Sequence, residues 1–118
     1  ALTRRVVEDG SDPVVVLGEV RVDLSAHQVT RSTGQGDQPV RLTPTEWRVL
    51  EHLVRHAGKL VTRQQLLTEI WGPQHVRDTG YLRLYVAQLR KKLEPHPASP
   101  RYILTEPGMG YRLHLPPG

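Results

Sequence analysis

The chain has no cysteine and no phenylalanine, and its 118 residues include only 2 tryptophans and 4 tyrosines. The absence of cysteine excludes disulfides, thiolate metal sites and a thiol nucleophile. No apolar run approaches the length that a membrane-spanning helix needs, and no secretory signal is recognisable at Ala1. From these absences we expect a cytoplasmic protein or protein fragment that has no membrane partner.

Signatures of enzyme chemistry are also scarce. No pair of carboxylates, phosphate-binding glycine loop or serine–histidine arrangement stands at a recognisable spacing. His52 and His56 are four residues apart, but Leu53 stands where the zinc-protease pattern needs a glutamate. We therefore expect no enzyme activity, no metal and no other cofactor, and we expect both histidines at the solvated surface.

The charged residues favour an anionic partner. Lysine and arginine number 16 against 12 aspartates and glutamates, for a formal net charge of +4. A basic balance is typical of proteins that bind nucleic acid, although composition alone fits an ordinary soluble domain equally well. The length suits one domain with a modest core.

The N-terminal third changes from a charged segment to a period-two pattern. Residues 1–13, "ALTRRVVEDGSDP", are polar and end in turn formers, which indicates a linker or the end of an upstream domain. From 14 to 42, apolar residues recur at every second position, as in Val20, Val22 and Leu24 and again in Val40 and Leu42. Short strands separated by "SAH" and "STGQGDQ" predict a small antiparallel sheet with one buried face.

The stretch "RLTPTEW" (41–47) is typical of a helix start. Thr43 can accept from the third helical amide, Glu46 can reach back to the Thr43 amide, and a proline stands at the first helical position. Trp47 begins an apolar face that repeats at one-turn spacing, and Gly58 offers a left-handed stop. We predict a structural helix over about 44–56, with Trp47 in the core.

Two more helices and a hairpin follow. Thr62 and Gln65 form a second capping-box pair, and "WGP" (71–73) ends that helix. A third helix is predicted from about Thr79 to Glu94, with prolines beyond it. The closing "YILTEPGMGYRLHL" predicts a β-hairpin. Sheet, three helices and hairpin give an α+β fold in the winged helix-turn-helix order.

The third helix carries a patterned surface. At 100° per residue a core stripe is formed by Leu82, Val86, Leu89 and Leu93. The opposite side carries Gly80, Leu84, Ala87, Gln88 and Lys91. Over 79–93 there are four cations, Arg83, Arg90, Lys91 and Lys92, and no acid. Short side chains flanked by cations fit a DNA major groove, whereas a solvated basic face is the commoner occurrence among helices.

Spaced motifs then show a family resemblance. The stretch "LTPTEWRVLEHLVRHAGKLVTRQQLLTEIWG", the later "LRKKLEP" and the closing "GMGYRL" resemble the DNA-binding effector domain of OmpR/PhoB-type two-component response regulators, over 14–115. The resemblance implies a four-stranded N-terminal sheet, three helices and a C-terminal wing, with residues 116–118 as a tail. More narrowly, "GYLRLYVAQLRKKLEPHP" with "LTEPGMGYR" is similar to regulators of high-affinity potassium-transport operons.

The resemblance also implies site residues. The residues expected to face DNA bases are Leu84, Ala87 and Gln88. Those expected at the DNA backbone are Arg63, Trp71, Arg83, Tyr85, Arg90, Lys91, Thr105 and Tyr111. The segment expected to contact RNA polymerase comprises Gln74, His75, Val76 and Arg77. For Trp71, packing and a phosphate contact through the indole N–H are equally favoured and can coexist.

Further partners follow from the same resemblance. A receiver domain would precede Ala1, and a sensor histidine kinase would phosphorylate it. Phosphorylation would then drive homodimerisation on double-stranded DNA with direct-repeat or palindromic half-sites about one helical turn apart. The wing tip departs from the family, because Glu106-Pro107-Gly108 stands where some members carry an arginine for the minor groove, and Glu106 would be repelled by phosphate unless it points away.

Two alternatives remain open at this point. The first is a winged-helix protein-interaction module in which exposed Leu84 is the hot spot. The second is RNA binding, which usually needs exposed aromatic residues for stacking and is disfavoured by the lack of phenylalanine.

Overall fold

The apolar alternation of the N-terminal segment forms a four-stranded antiparallel sheet. In the computed structural model, which describes residues 14–75 and 79–115, this sheet has the order β1-β2-β3-β4. Its strands are β1 (Val14–Leu17), β2 (Val20–Asp23), β3 (Gln28–Thr33) and β4 (Gly36–Pro39). One face is buried through Val15, Leu17, Val20, Val22 and Val29. The predicted small sheet with one buried face is confirmed.

The last strand of this sheet differs from the prediction. We expected a strand around Val40 and Leu42, but β4 ends at Pro39, and its first three residues belong to the segment assigned to the connection (32–38). The reason is a tight hairpin: the Thr33 hydroxyl accepts from the Gln35 amide at 3.1 Å and donates to the Gly36 carbonyl oxygen at 2.7 Å. Only the amide of Val40 continues the pairing, through a 2.8 Å bond to the Val29 carbonyl.

The chain divides into two compact units, Ala1–Arg41 and Leu42–Gly118. Three parts of the prediction lie outside the described residues: the linker (1–13), the tail (116–118), and Val76 and Arg77 of the polymerase segment. The assignment of 14–115 to one domain therefore stays a prediction.

The described part of the second unit contains three α-helices: α1 (Pro44–Arg55), α2 (Arg63–Trp71) and α3 (Thr79–Leu93). Both predicted capping boxes are present. Thr43 with Glu46 begins α1, and Thr62 with Gln65 begins α2, each through one bond in either direction. Gly58 has the predicted left-handed conformation, with φ at +83°. A single 3₁₀ turn, Pro73–His75, follows α2.

The predicted hairpin is part of a larger sheet. Strands β6 (Ile103–Glu106) and β7 (Gly110–Leu113) form the wing, and β5 (Leu60–Thr62) pairs with β7, giving the order β5-β7-β6. We did not predict β5. It brings the residue before α2 against the wing, since Thr62 pairs with Gly110.

The core of this unit is assembled from one face of each helix. All three helices contribute fully buried leucines: Leu50, Leu53, Leu66, Leu67, Leu82, Leu89 and Leu93. Leu113 of β7 is also fully buried. Trp47 is 5% exposed, so its predicted place in the core is confirmed. Lys92 of α3 reaches the buried Glu46 of α1, with Nζ 2.6 Å from Oε1. The start of α1 is thereby linked to the end of α3.

Candidate nucleic-acid interface

The outward side of α3 has the predicted composition. Leu82, Val86, Leu89 and Leu93 are at most 1% exposed and form the inner stripe, as the periodicity indicates. On the opposite side Leu84 is 52% exposed, Ala87 is exposed and Gln88 is half-buried. The three residues expected at bases therefore lie together on the solvent side of one helix. Contact with bases stays a prediction.

The four cations of α3 have different environments. Arg83 and Lys91 are exposed, and neither has a hydrogen bond or ion pair with another described residue. Lys92 is paired with Glu46. Arg90 is half-buried and points toward the wing. A helical wheel places Arg83, Arg90 and Lys92 on the shoulders of the helix and Lys91 on its outward side. Among the described residues the structure adds that only two of the four cations, Arg83 and Lys91, are available to an anion.

Arg90 is bonded to the first strand of the wing. Its Nε and Nη2 donate to the carbonyl oxygen of Ile103 at 3.0 and 2.7 Å, and Nη2 also donates to the Thr105 hydroxyl at 2.8 Å. The guanidinium carbon lies 5.9 Å from the centre of the Tyr111 ring. Desolvation by burial lowers the pKa of Arg90, while the nearby groups of Tyr111 and Glu94 oppose that shift.

The two other wing residues expected at the DNA backbone belong to the same cluster. The Thr105 side chain is exposed but accepts the hydrogen bond from Arg90. Tyr111 is only 6% exposed. Both lie in the wing as predicted, and their contact with DNA is untested.

The start of α2 is attached to the wing turn. The Arg63 amide donates to the Met109 carbonyl oxygen, and its Nη2 donates to the Gly108 carbonyl oxygen, each at 3.2 Å. Glu106 points away from the tip because its Oε2 accepts from Nε of Arg112 at 3.0 Å. The wing turn therefore exposes an uncharged tip, Pro107 and Gly108, beside the half-buried Arg63.

An aromatic cluster lies between the end of α2 and the start of α3. The Trp71 ring centre is 6.3 Å from that of Tyr81 and 5.6 Å from that of Tyr85. Trp71 is half-buried, so its expected packing is observed. Gln74 and His75 of the expected polymerase segment lie in the adjoining 3₁₀ turn.

Sequence reasoning missed two residues that shape this surface. Arg48 of α1 donates to the carbonyl oxygens of Ile70 and Glu69 at 2.9 and 3.0 Å, which caps the end of α2. Glu94, 3% exposed, accepts amide hydrogens at the start of the wing. The one available signal for Glu94 was its position one helical turn after Arg90.

The two histidines at the C-terminal end of α1, His52 in the helix and His56 directly after it, are only partly as expected. His56 is exposed, but His52 is half-buried because Glu69 and Ile70 of α2 lie beside it. The rings stack with centres 4.7 Å apart, and His56 Nδ1 lies 2.9 Å from the His52 carbonyl oxygen. Within residues 14–75 and 79–115 no cluster of three or more metal-ligating side chains occurs. No helix in those ranges has the length and apolar content to cross a membrane.

Comparison with known families decides the relationship. Residues 37–113 match the family described as "Transcriptional regulatory protein, C terminal". The chain belongs to this family. The match covers the last strand of the first sheet, all three helices and the wing. It confirms the OmpR/PhoB-type relationship and the α+β winged-helix fold that the sequence motifs predict.

Curated relatives of this family member include two transcriptional regulatory proteins named KdpE. The KDP operon transcriptional regulatory protein KdpE of Escherichia coli strain K12 is 45% identical over 115 residues, covering 98% of this chain and 49% of that protein. Transcriptional regulatory protein KdpE of Mycobacterium tuberculosis strain CDC 1551 / Oshkosh is 50% identical over 100 residues, covering 85% and 42%. The chain thus spans about half the length of these relatives.

Solved structures of response regulators share the fold. DrrB, an OmpR/PhoB homologue of Thermotoga maritima, superposes with a TM-score of 0.69 at 30% identity, covering 95% of this chain and 49% of that one. The DNA-binding domain of RstA from Klebsiella pneumoniae, solved in complex with the RstA box, superposes with a TM-score of 0.70 at 25% identity, covering 86% and 96%.

Proposed function

We propose that this chain binds double-stranded DNA in a sequence-specific manner, as the effector domain of a bacterial two-component response regulator. The observation that carries the proposal is the outward side of α3. Its centre is uncharged and of modest size, with Leu84, Ala87 and Gln88, and Arg83 and Lys91 lie exposed beside it. A helix of this form can enter the major groove, with the cations at the phosphates and the short side chains at the base edges.

The base-facing residues divide by chemistry. Gln88 can donate to N7 and accept from N6 of adenine, which is worth about 1–3 kcal/mol of discrimination. Leu84, 52% exposed on a helix whose opposite side is core, suits the methyl group of thymine. Ala87 allows close approach between them. We infer a preference for A·T-containing half-sites.

The DNA backbone would be held from both sides of the groove. Arg83 and Lys91 are the cations best placed to neutralise phosphates, because they are exposed and uncommitted to other described residues. Arg63 stands at the N-terminal end of α2, where backbone amides also favour an anion. Trp71 and Tyr85 form the aromatic cluster nearby and can each donate one hydrogen bond to a phosphate oxygen.

The complete protein would add regulation. Similarity to the two KdpE proteins supports control of a high-affinity potassium-uptake operon. We further infer a cytoplasmic protein whose receiver domain is phosphorylated by a sensor histidine kinase and then homodimerises on DNA. RNA polymerase would be contacted by the segment from Gln74 to Arg77.

A protein-interaction module is the second candidate. It is favoured by two large side chains that stand exposed on α3, Tyr81 at 53% and Leu84 at 52%. An exposed tyrosine is a typical anchor for a protein partner, and an exposed leucine beside it enlarges the apolar patch. Salt dependence separates the candidates, since DNA binding releases counterions and weakens steeply with salt, whereas an apolar protein contact does not.

The test is selection of bound duplexes from a random DNA pool with the 118-residue chain, followed by titration of the selected duplex at several salt concentrations. We expect a defined half-site motif. Gln88→Ala should relax the preference at one base pair by roughly 1–3 kcal/mol and keep the affinity for unrelated DNA. Lys91→Ala, the matched control on the same helix, should weaken binding to all sequences and flatten the salt slope by about 0.9.

Two results would overturn the proposal. The first is a pool that yields no motif and no binding above that of a neutral protein. The second is the same effect of Gln88→Ala and Lys91→Ala on every duplex, because the assigned roles would then be indistinguishable.

A further inference from the structure

Two side chains at the C-terminal end of α3 hold β6, the first strand of the wing. Arg90 lies in the last turn of the helix, and Glu94, one helical turn later, directly follows it. Arg90 donates from Nε and Nη2 to the Ile103 carbonyl oxygen at 3.0 and 2.7 Å. The Glu94 carboxylate accepts from the amide of the same residue at 2.7 Å, and from the amides of Arg101 and Tyr102 at 2.8 and 2.9 Å. Both backbone polar groups of Ile103 are therefore bonded to this end of α3.

Arg90 reaches beyond this residue to both strands of the wing. Its Nη2 donates to the Thr105 hydroxyl at 2.8 Å in β6, and its guanidinium faces the buried Tyr111 ring of β7 at 5.9 Å. Only arginine offers a planar fork that donates in its plane and packs its face on an aromatic ring. Its Nε and Nη2 are thus both engaged inside the protein, counting only the described residues.

We propose that Arg90 is a positioning residue, which fixes the wing against α3 so that the two elements meet DNA as one preformed surface. The inference rests on the DNA binding proposed above. It reassigns Arg90, Thr105 and Tyr111 from three separate backbone contacts to one internal brace. A loose wing would have to be ordered on binding, at an entropic cost, so the brace raises affinity without an Arg90–phosphate contact.

Salt dependence distinguishes the brace from a phosphate contact. Each cation that neutralises a phosphate contributes about 0.9 to the slope of log K against log salt. The segment 103–113 has one basic residue, Arg112, which is paired with Glu106 at 3.0 Å. Loss of the brace should therefore weaken binding equally at all salt concentrations, whereas loss of a phosphate contact flattens the slope.

The experiment uses Arg90→Ala, Arg90→Lys, Thr105→Val, the Arg90→Ala/Thr105→Val pair and Lys91→Ala in the 118-residue chain, titrated with the selected duplex. We expect Arg90→Ala to bind roughly tenfold more weakly, the loss typical of a charge-assisted hydrogen bond, with the wild-type slope. Arg90→Lys should show a similar loss although it keeps the charge. Thr105→Val should weaken the wild type but have no effect once Arg90 is alanine.

Three outcomes would overturn the brace: wild-type affinity in Arg90→Lys, a flattened slope in Arg90→Ala like that of Lys91→Ala, or additive losses in the pair. Arg90→Lys also guards against misfolding of the alanine variant, since it preserves the charge and most of the side chain.

Amide hydrogen exchange of the DNA-free protein gives an independent readout. Arg90→Ala should speed the exchange of β6 and β7 amides, and Lys91→Ala should leave them unchanged. If the wild-type chain bound no DNA, the proposed function would fail while exchange would still decide the brace. Unchanged exchange in Arg90→Ala would refute it.

Discussion

Gly110 lies where the backbone of β5 leaves no room for a side chain. It pairs with Thr62 of β5 and with Glu106 of β6, because it is the first residue of β7, the central strand of the three-stranded sheet. A Cβ on Gly110 would stand 2.1 Å from the Val61 carbonyl oxygen and 2.8 Å from the Thr62 Cα. Because both atoms belong to the backbone, a side chain can be accommodated only if β5 moves away from β7.

We expect Gly110→Ala to lower the free energy of unfolding by about 3 kcal/mol, the upper range for overpacking, and the strained β5–β7 pairing adds to this. For a chain of this size the loss corresponds to a fall in melting temperature of roughly 10 °C or more. Circular dichroism melts at fixed protein concentration measure it.

The matched control is Gly34→Ala. This glycine also lies beside a strand, but a Cβ added to it would meet nothing within 4 Å, and its φ is not in the left-handed region. We expect a change within about 0.5 kcal/mol. A Gly110→Ala melting temperature within about 2 °C of the wild type would refute the close approach of the β5 and β7 backbones.

Two further predictions concern the DNA-facing helix and the surface of α1. Replacing a contacted thymine by uracil removes one methyl group and should weaken wild-type binding about fourfold. The Leu84→Ala variant should bind the thymine and uracil duplexes equally well. If the replacement weakened binding of the variant as much as that of the wild type, Leu84 would not contact the methyl group. The pKa of His52 is lowered by burial and then by His56, while Glu69 and Glu51 oppose the shift, so the unfolded chain binds this proton more readily. The contribution of His52 to the free energy of unfolding should be fully present above about pH 6.5 and should be lost as the pH falls. Urea unfolding of His52→Gln should therefore show a smaller loss of stability at low pH than the wild type. An equal loss in the variant would exclude His52 as its source.

The helix starts were predictable because their chemistry is local. Thr43 with Glu46, and Thr62 with Gln65, each satisfy one another's amides within four consecutive residues. Such pairs depend on no distant part of the chain. The inner stripe of α3 was predictable for a similar reason, since the helical period alone fixes which residues share a face.

The strands that were missed or displaced depend on distant or conformational information. β5 has three residues, too few for an alternating pattern, and its partner β7 lies about 50 residues further along the chain. β4 is composed of Gly36, Asp37, Gln38 and Pro39, of which glycine, aspartate and proline are depleted in strands. It forms because the hairpin turn places it beside β3.

The candidate site was predictable as a surface but not as a set of contacts. Periodicity places Leu84, Ala87 and Gln88 on the outward side, where the structure also has them. It cannot assign the bonding of Arg90, whose partners Ile103 and Thr105 lie 13 and 15 residues away in the wing. A shoulder position on a wheel fits a phosphate contact and an internal contact equally well.

The wing strand β6 ends the three-stranded sheet, and an open sheet edge is a template on which a second chain can add a strand. At Ile103 the backbone groups on this edge are already hydrogen-bonded, because the carbonyl oxygen accepts from Arg90 and the amide donates to Glu94. The side chains that orient the wing thus also shield it from edge-to-edge aggregation. Any variant that frees this edge should lose solubility at high protein concentration as well as affinity for DNA.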